Sequence, residues 1–136
     1  NAAIGIEQLK KLNKLVSIRR NNHKFFYKLF KDDQRFIIQK FKSGHSCFAF
    51  TMVIKPNFLH LKDKIFKVFK DNKIEFRLIT GGSFFKHPVK KYFKYKKFNG
   101  SKNVDYIHDN GFFIGNHPKD LKKELTFLKN VLDKVR

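Results

Sequence analysis

Apolar residues recur at helical spacing from the start of the chain. Leu9, Leu12 and Val16, then Phe26, Leu29 and Phe30, follow a period near 3.6 residues and predict a long helix from Ile4 to about Lys31. Asp32-Asp33 closes it. The pattern then changes. Phe36-Ile37-Ile38 predicts the start of a strand, and Ser43-Gly44 a turn. From Cys47 to Lys55, Phe48, Phe50, Met52 and Ile54 alternate with Cys47, Ala49, Thr51 and Val53. Neither set carries a charge, as expected of a strand inside a sheet.

Helical spacing returns at Leu61, Ile65, Phe66 and Phe69, with Asn57 as an upstream cap. Ile74 to Thr80 predicts a second strand running into Gly81-Gly82-Ser83, a sharp loop that needs a permissive backbone. Residues 84–100 have no clear period and are expected to be loop. Ser101 is placed to cap a short helix over 102–109, stopped by Asn110-Gly111. Phe112-Phe113-Ile114 predicts a brief strand. Pro118 then suits the first position of a final helix whose seam is Leu121, Leu125, Leu128, Leu132 and Val135. This order predicts one α+β domain over residues 1–136. Its sheet is small and mostly antiparallel, with packed helices, and a long N-terminal helix precedes it.

Composition narrows the classes. A chain that is 41% hydrophobic, with 18 Phe, is not of the disordered kind. No apolar run approaches the roughly 18 residues of a membrane span, so no membrane partner is expected. Asn1 to Gly5 has neither a basic nor a long apolar region, so no signal peptide is expected. The first residue is not Met, and a piece of a longer polypeptide is expected. Cys47 is the only cysteine, which excludes an internal disulfide and points to a reducing, cytoplasmic setting and a buried structural thiol.

Charge adds a rival reading. Lys plus Arg outnumber Asp plus Glu by 31 to 11, a net charge of +20 that attracts phosphates or nucleic acid. The basic-aromatic stretch Phe84 to Phe98 would suit single-stranded nucleic acid, with rings for bases and lysines for phosphates. Against this, Arg stands only at positions 19, 20, 35, 77 and 136, and the lysines are spread along the whole chain. Solvated surface lysines, and aromatics that plug into protein, are the expected reading. A nucleic-acid-binding module is the alternative, and a bare interaction domain is a third.

No complete catalytic site is visible. None of the six histidines falls in a zinc-ligand pattern. There is no Gly-rich phosphate loop followed by Lys-Ser or Lys-Thr, and no serine nucleophile elbow. No catalytic residue and no metal are expected in this chain. Two places carry candidate chemistry. Arg77 lies on an otherwise apolar strand, where it either pairs with an acidic neighbour or points into an anion site. Asn116-His117-Pro118 stands where a helix is expected to start, either as an anion-favouring site with a proton carrier or as a plain capping turn.

Three segments carry a family resemblance over nearly the whole chain. Asn1-Ala2-Ala3-Ile4-Gly5-Ile6-Glu7-Gln8-Leu9, with Leu12 and Arg19-Arg20-Asn21, resembles the "AAIG-x-x-QL … RR-x-N" helix of the DegT/DnrJ family. Those are pyridoxal-phosphate-dependent sugar aminotransferases of fold type I and their relatives. Ile74-Glu75-Phe76-Arg77-Leu78 through Ser83 resembles the family's "I-E-T-R-P…GN" segment, with Leu78 in place of Pro and Ser83 in place of Asn. Asp105-Tyr106-Ile107-His108-Asp109-Asn110-Gly111-Phe112-Phe113-Ile114-Gly115-Asn116-His117-Pro118 is similar to the "NGFFIGNHP" signature of the subgroup containing CDP-4-keto-6-deoxy-D-glucose 3-dehydrase.

The resemblance implies the C-terminal small domain of a larger enzyme. A preceding domain would hold pyridoxal or pyridoxamine phosphate, and the whole protein would be a homodimer acting on a nucleotide sugar. The reaction implied is dehydration at C3 of a 4-keto-6-deoxy sugar, feeding lipopolysaccharide or another deoxysugar product. Transamination by the same fold is the alternative, decided by a His or Lys that would lie upstream. Arg77, Gly82, Ser83, Asn116 and His117 are the residues implied to contact substrate or cofactor.

Overall fold

A computed structural model describes residues 2–79, 81–96 and 101–136. The long helix α1 spans Ala2–Phe30. Strands β1 (Phe36–Ile38) and β2 (Ala49–Ile54) follow, then helix α2 (Lys62–Asp71) and the short strand β3 (Arg77–Leu78). Helix α3 (Lys102–Asn110) runs directly into strand β4 (Gly111–Gly115), and α4 (Lys122–Asp133) ends the fold. The four strands form one antiparallel sheet in the order β1-β2-β4-β3. This is the α+β architecture that the pattern predicts, with β2 internal.

Register explains the packing. Met52 pairs with Phe112 and Phe50 with Ile114, turning one face of the sheet to the helices. Phe26 and Phe30 from α1, Ile65 and Phe69 from α2, and Leu125, Leu128 and Leu132 from α4 close over that face. Phe26 stacks on Phe50, with ring centroids 4.7 Å apart. Each fully buried aromatic of this kind contributes on the order of 2–3 kcal/mol. The two halves of α1 differ. Phe26 and Phe30 are buried, whereas Ile4, Ile6, Leu9 and Leu12 are exposed.

Several boundaries depart from the sequence pattern. The strand expected over Ile74–Thr80 is ordered as a ladder only at Arg77–Leu78, with Thr80 outside the described residues. Among the described residues it pairs with β4 alone, through Phe113 and Phe112, and Ile79 N–H adds a bond to the Gly111 carbonyl at 3.2 Å. Asn57 is not a helix cap, because Pro56–Leu61 forms a 3-10 turn ahead of α2. The Ser101 hydroxyl meets the Asp105 carboxylate at 3.4 Å and caps no backbone group. Gly111 ends α3 with an ordinary negative φ. Its missing Cβ matters for another reason: that atom would lie 2.5 Å from the Ile107 carbonyl oxygen.

Residues 84–92 hold two 3-10 turns, Phe84–Lys86 and Pro88–Tyr92. Phe84 packs edge-on against Phe85 and Phe93, and Tyr95 packs against both Phe84 and Phe85. These rings pack on one another, and Phe84, Phe93 and Tyr95 stay exposed rather than plugging into the core. Phe98, with the rest of 97–100, lies outside the described residues.

Candidate functional site

Asn116 organises the site. It follows β4 directly, and its N–H donates to the Phe48 carbonyl at 2.7 Å. Its Nδ2 donates to the carbonyls of Arg19 (3.0 Å) and Cys47 (2.8 Å). Its Oδ1 accepts from Asn22 Nδ2 at 3.1 Å. Asn22 Nδ2 also reaches the carbonyls of His117 (3.2 Å) and Lys119 (2.7 Å), and its Oδ1 accepts from Leu121 N–H. Both amides are buried, and burial requires partners of this kind. Two chain segments that share no sequence pattern are thereby clasped together.

The clasp corrects one expectation. Pro118 does not open a helix: residues 116–121 are drawn across α1, and α4 starts at Lys122. Asp120 Oδ1 accepts from Lys122 N–H at 3.0 Å. The argument for an anion at a helix start therefore does not apply to Asn116 and His117. Cys47 is half-buried rather than buried, held beside the clasp by its carbonyl.

An open cleft of about 530 Å³ lies along this region. Arg77, Asn116 and His117 line it together with Arg19, Glu75 and Gly115. Phe48 and Phe113, edge-to-face at 5.9 Å, and Ile74 and Ile114 supply its apolar surface. Arg77 is held by the β3 pairing with Phe113 and is largely exposed. Its guanidinium donates to Glu75 Oε1 at 3.3 Å, so it both pairs with an acid and faces the cleft. His117 is exposed, and its backbone carbonyl anchors it to Asn22.

Gly82 and Ser83 do not line this cleft. Gly82 adopts φ 40°, and a Cβ there would run into the His108 ring. Ser83 is buried, and its N–H donates to His108 Nδ1 at 3.2 Å. His87 Nε2 lies 2.7 Å from the Gly81 carbonyl oxygen, with its ring edge-on to His108. Gly82 and Ser83 thus form a tight loop built around a histidine.

Sequence reasoning missed Arg19 and Glu75 as cleft residues. Each lies inside a motif already noted, which was the available signal. Among the described residues, no group of three or more His, Cys, Asp or Glu side chains is gathered to hold a metal, and no helix is long and apolar enough to cross a membrane.

Comparison with known proteins gives the family and its relatives. A model described as the DegT/DnrJ/EryC1/StrS aminotransferase family matches residues 1–135. GDP-4-keto-6-deoxy-D-mannose 3-dehydratase of Escherichia coli O55:H7 is 38% identical over 133 residues, covering 97% of this chain and 34% of that protein. The Yersinia pseudotuberculosis enzyme of the same name is 35% identical, covering 98% of this chain and 34% of its own length. A solved structure of the E. coli enzyme with bound hydrated pyridoxal phosphate superposes with a TM-score of 0.89, at 38% identity, over 96% of this chain and 34% of that one. The chain spans about a third of the length of the relatives it matches.

Proposed function

Because this chain belongs to the DegT/DnrJ/EryC1/StrS aminotransferase family, we propose that it is the C-terminal small domain of a cytoplasmic nucleotide-sugar 3-dehydratase. The complete protein would remove the 3-hydroxyl of a nucleotide-linked 4-keto-6-deoxyhexose, for a lipopolysaccharide or another deoxysugar product. One observation carries the reading: the motif residues Arg77, Asn116 and His117 converge on one open cleft in a chain 38% identical to such an enzyme.

The cleft fits a shared active site better than a self-sufficient one. It offers arginine cations and an apolar wall, and its lining contains no lysine to condense with a cofactor carbonyl. Pyridoxal or pyridoxamine phosphate, held mainly by the rest of the protein, would supply the carbanion chemistry. This chain would close one side. Arg77 would bind an anionic or hydroxyl group of the substrate, His117 the sugar or cofactor edge, and Asn116 would fix the wall's position. Gly82 and Ser83 would shape the neighbouring loop. The exposed Ile4, Ile6, Leu9 and Leu12 support a further domain or a second subunit packed on α1.

The test is an assay of the complete polypeptide with pyridoxal phosphate, glutamate and a GDP-linked 4-keto-6-deoxyhexose. The expected product is the 3-deoxy sugar, and Arg77→Ala should cut kcat/KM by roughly tenfold or more. An amino sugar as the product would redirect the reading to transamination. An Arg77→Ala enzyme with unchanged kinetics would remove Arg77 from the site.

A further inference from the structure

The cleft contains a second arginine with nothing to hold. Arg19 is only partly exposed, and its Nε is buried with no hydrogen-bond partner. Among the described residues its guanidinium makes no ion pair within 4.0 Å. The one carboxylate in the cleft lining, Glu75, is bonded to Arg77. Arg35 shows what a structural arginine looks like in this same protein. It forks onto both oxygens of Asp33, at 3.0 and 2.7 Å, and also donates to the Leu132 and Val135 carbonyls and to Asp133.

A guanidinium carries five N–H donors and cannot shed its charge. Leaving a buried donor unmade is costly unless something satisfies it. Arg19 is also not loose. Its own carbonyl is pinned by Asn116 Nδ2, so the clasp that shapes the cleft sets where Arg19 stands. Two guanidiniums against a single carboxylate leave the cleft short of negative charge. An occupant bearing several phosphoryl oxygens would supply acceptors for both, in the bidentate geometry arginine favours.

Building on the reading above, we propose that Arg19 is a binding residue for a phosphoryl oxyanion, acting beside Arg77. Two reactants could bring that group: the diphosphate of the nucleotide sugar and the phosphate of the cofactor. The complete protein carrying Arg19→Gln or Arg19→Lys distinguishes them. GDP binding by calorimetry and pyridoxal phosphate binding by absorbance each give a dissociation constant independent of turnover. Arg19→Gln is expected to weaken one of the two by roughly tenfold or more, with Arg19→Lys recovering part of the loss. Loss confined to GDP assigns the diphosphate, and loss confined to pyridoxal phosphate assigns the cofactor. Both affinities within twofold of wild type in a folded Arg19→Gln protein would overturn the proposal. So would an Arg19→Gln protein that fails to fold beside a folded Arg19→Lys protein with only a lowered melting temperature and wild-type affinities. A wild-type protein that neither binds GDP nor turns over a nucleotide sugar would instead defeat the functional reading itself.

Discussion

Arg19 and Arg35 stand at opposite ends of the same design problem. Both are partly sheltered, yet among the described residues Arg35 has a full set of acceptors and the buried Nε of Arg19 has none. At the Arg35 corner the Asp33 side chain is only 4% exposed, and Arg35 and Lys129 neutralise it. Burial pushes the Asp33 carboxyl up, but the hydrogen bonds and charge of Arg35, with that of Lys129, outweigh it and hold the carboxyl below its ordinary range. The hydrogen bond to Asp33, with the charge of Asp33 and Asp133, outweighs burial and raises the pKa of Arg35. That corner joins the end of α4 to the turn after α1. The cleft instead leaves cations facing open space. Complete satisfaction marks the corner as a region that holds the fold, whereas the unpaired Arg19 donor lies at an open cleft, where the proposed oxyanion would satisfy it.

Substitution should separate the two regions, and the largest effect belongs to the corner. Arg35→Gln leaves Asp33 with Lys129 as its one charged partner and the backbone N–H of residue 35. The expected loss is about 2–4 kcal/mol of unfolding free energy, read by denaturant titration of the complete protein. Equal stability to wild type would show that Lys129 and the backbone N–H of residue 35 suffice.

Next comes the clasp that supports the cleft. Asn116→Ala removes a donor from the carbonyls of Arg19 and Cys47 and one of the three acceptors of Asn22 Nδ2. Roughly 2–3 kcal/mol should be lost. Weakened binding in the cleft should accompany it, because Arg19 loses its anchor. A stability loss with intact affinity would separate the clasp from the site.

Acid offers a graded comparison. His23 is buried among Phe26, Phe41 and Phe50, with neither ring nitrogen paired. Burial, and then the charge of His45, lower its pKa below the ordinary 6.5. The folded state thus refuses a proton that the unfolded chain accepts. Above about pH 6.5 this group adds no pH dependence, and stability should fall as pH drops below it. Asp33 acts later: its contribution is complete above the ordinary carboxyl value near 3.9 and is lost as pH falls through its lower folded value. Denaturation midpoints between pH 7.5 and 5 should decline in wild type and flatten in His23→Leu. An unchanged slope in that variant would assign the decline to other histidines.

The smallest stability effect should come from Arg19→Gln, within about 1 kcal/mol, since no partner is orphaned. That contrast with Arg35→Gln is the sharpest form of the comparison. A loss at Arg19 as large as at Arg35 would make both arginines structural.

Sequence alone determined what local periodicity and turn chemistry control. The span of α1, the internal character of β2 and the apolar seam from Leu121 to Val135 were legible because each depends on residues a few positions apart. The motif resemblance likewise placed Arg77, Asn116 and His117 before any geometry was known. Tertiary structure decided the rest. The start of α4 depends on Asn22, 99 positions from the Leu121 amide it accepts, and no local rule reaches that far. How far the strand at Arg77 pairs with β4, only at Arg77 and Leu78, is likewise not set by its own alternation. Arg19 became a cleft residue, and Gly82 and Ser83 became part of a histidine-centred loop, only through contacts across the fold. Propensity is set by neighbours along the chain, whereas a site is set by which distant groups are left with partners and which are left without.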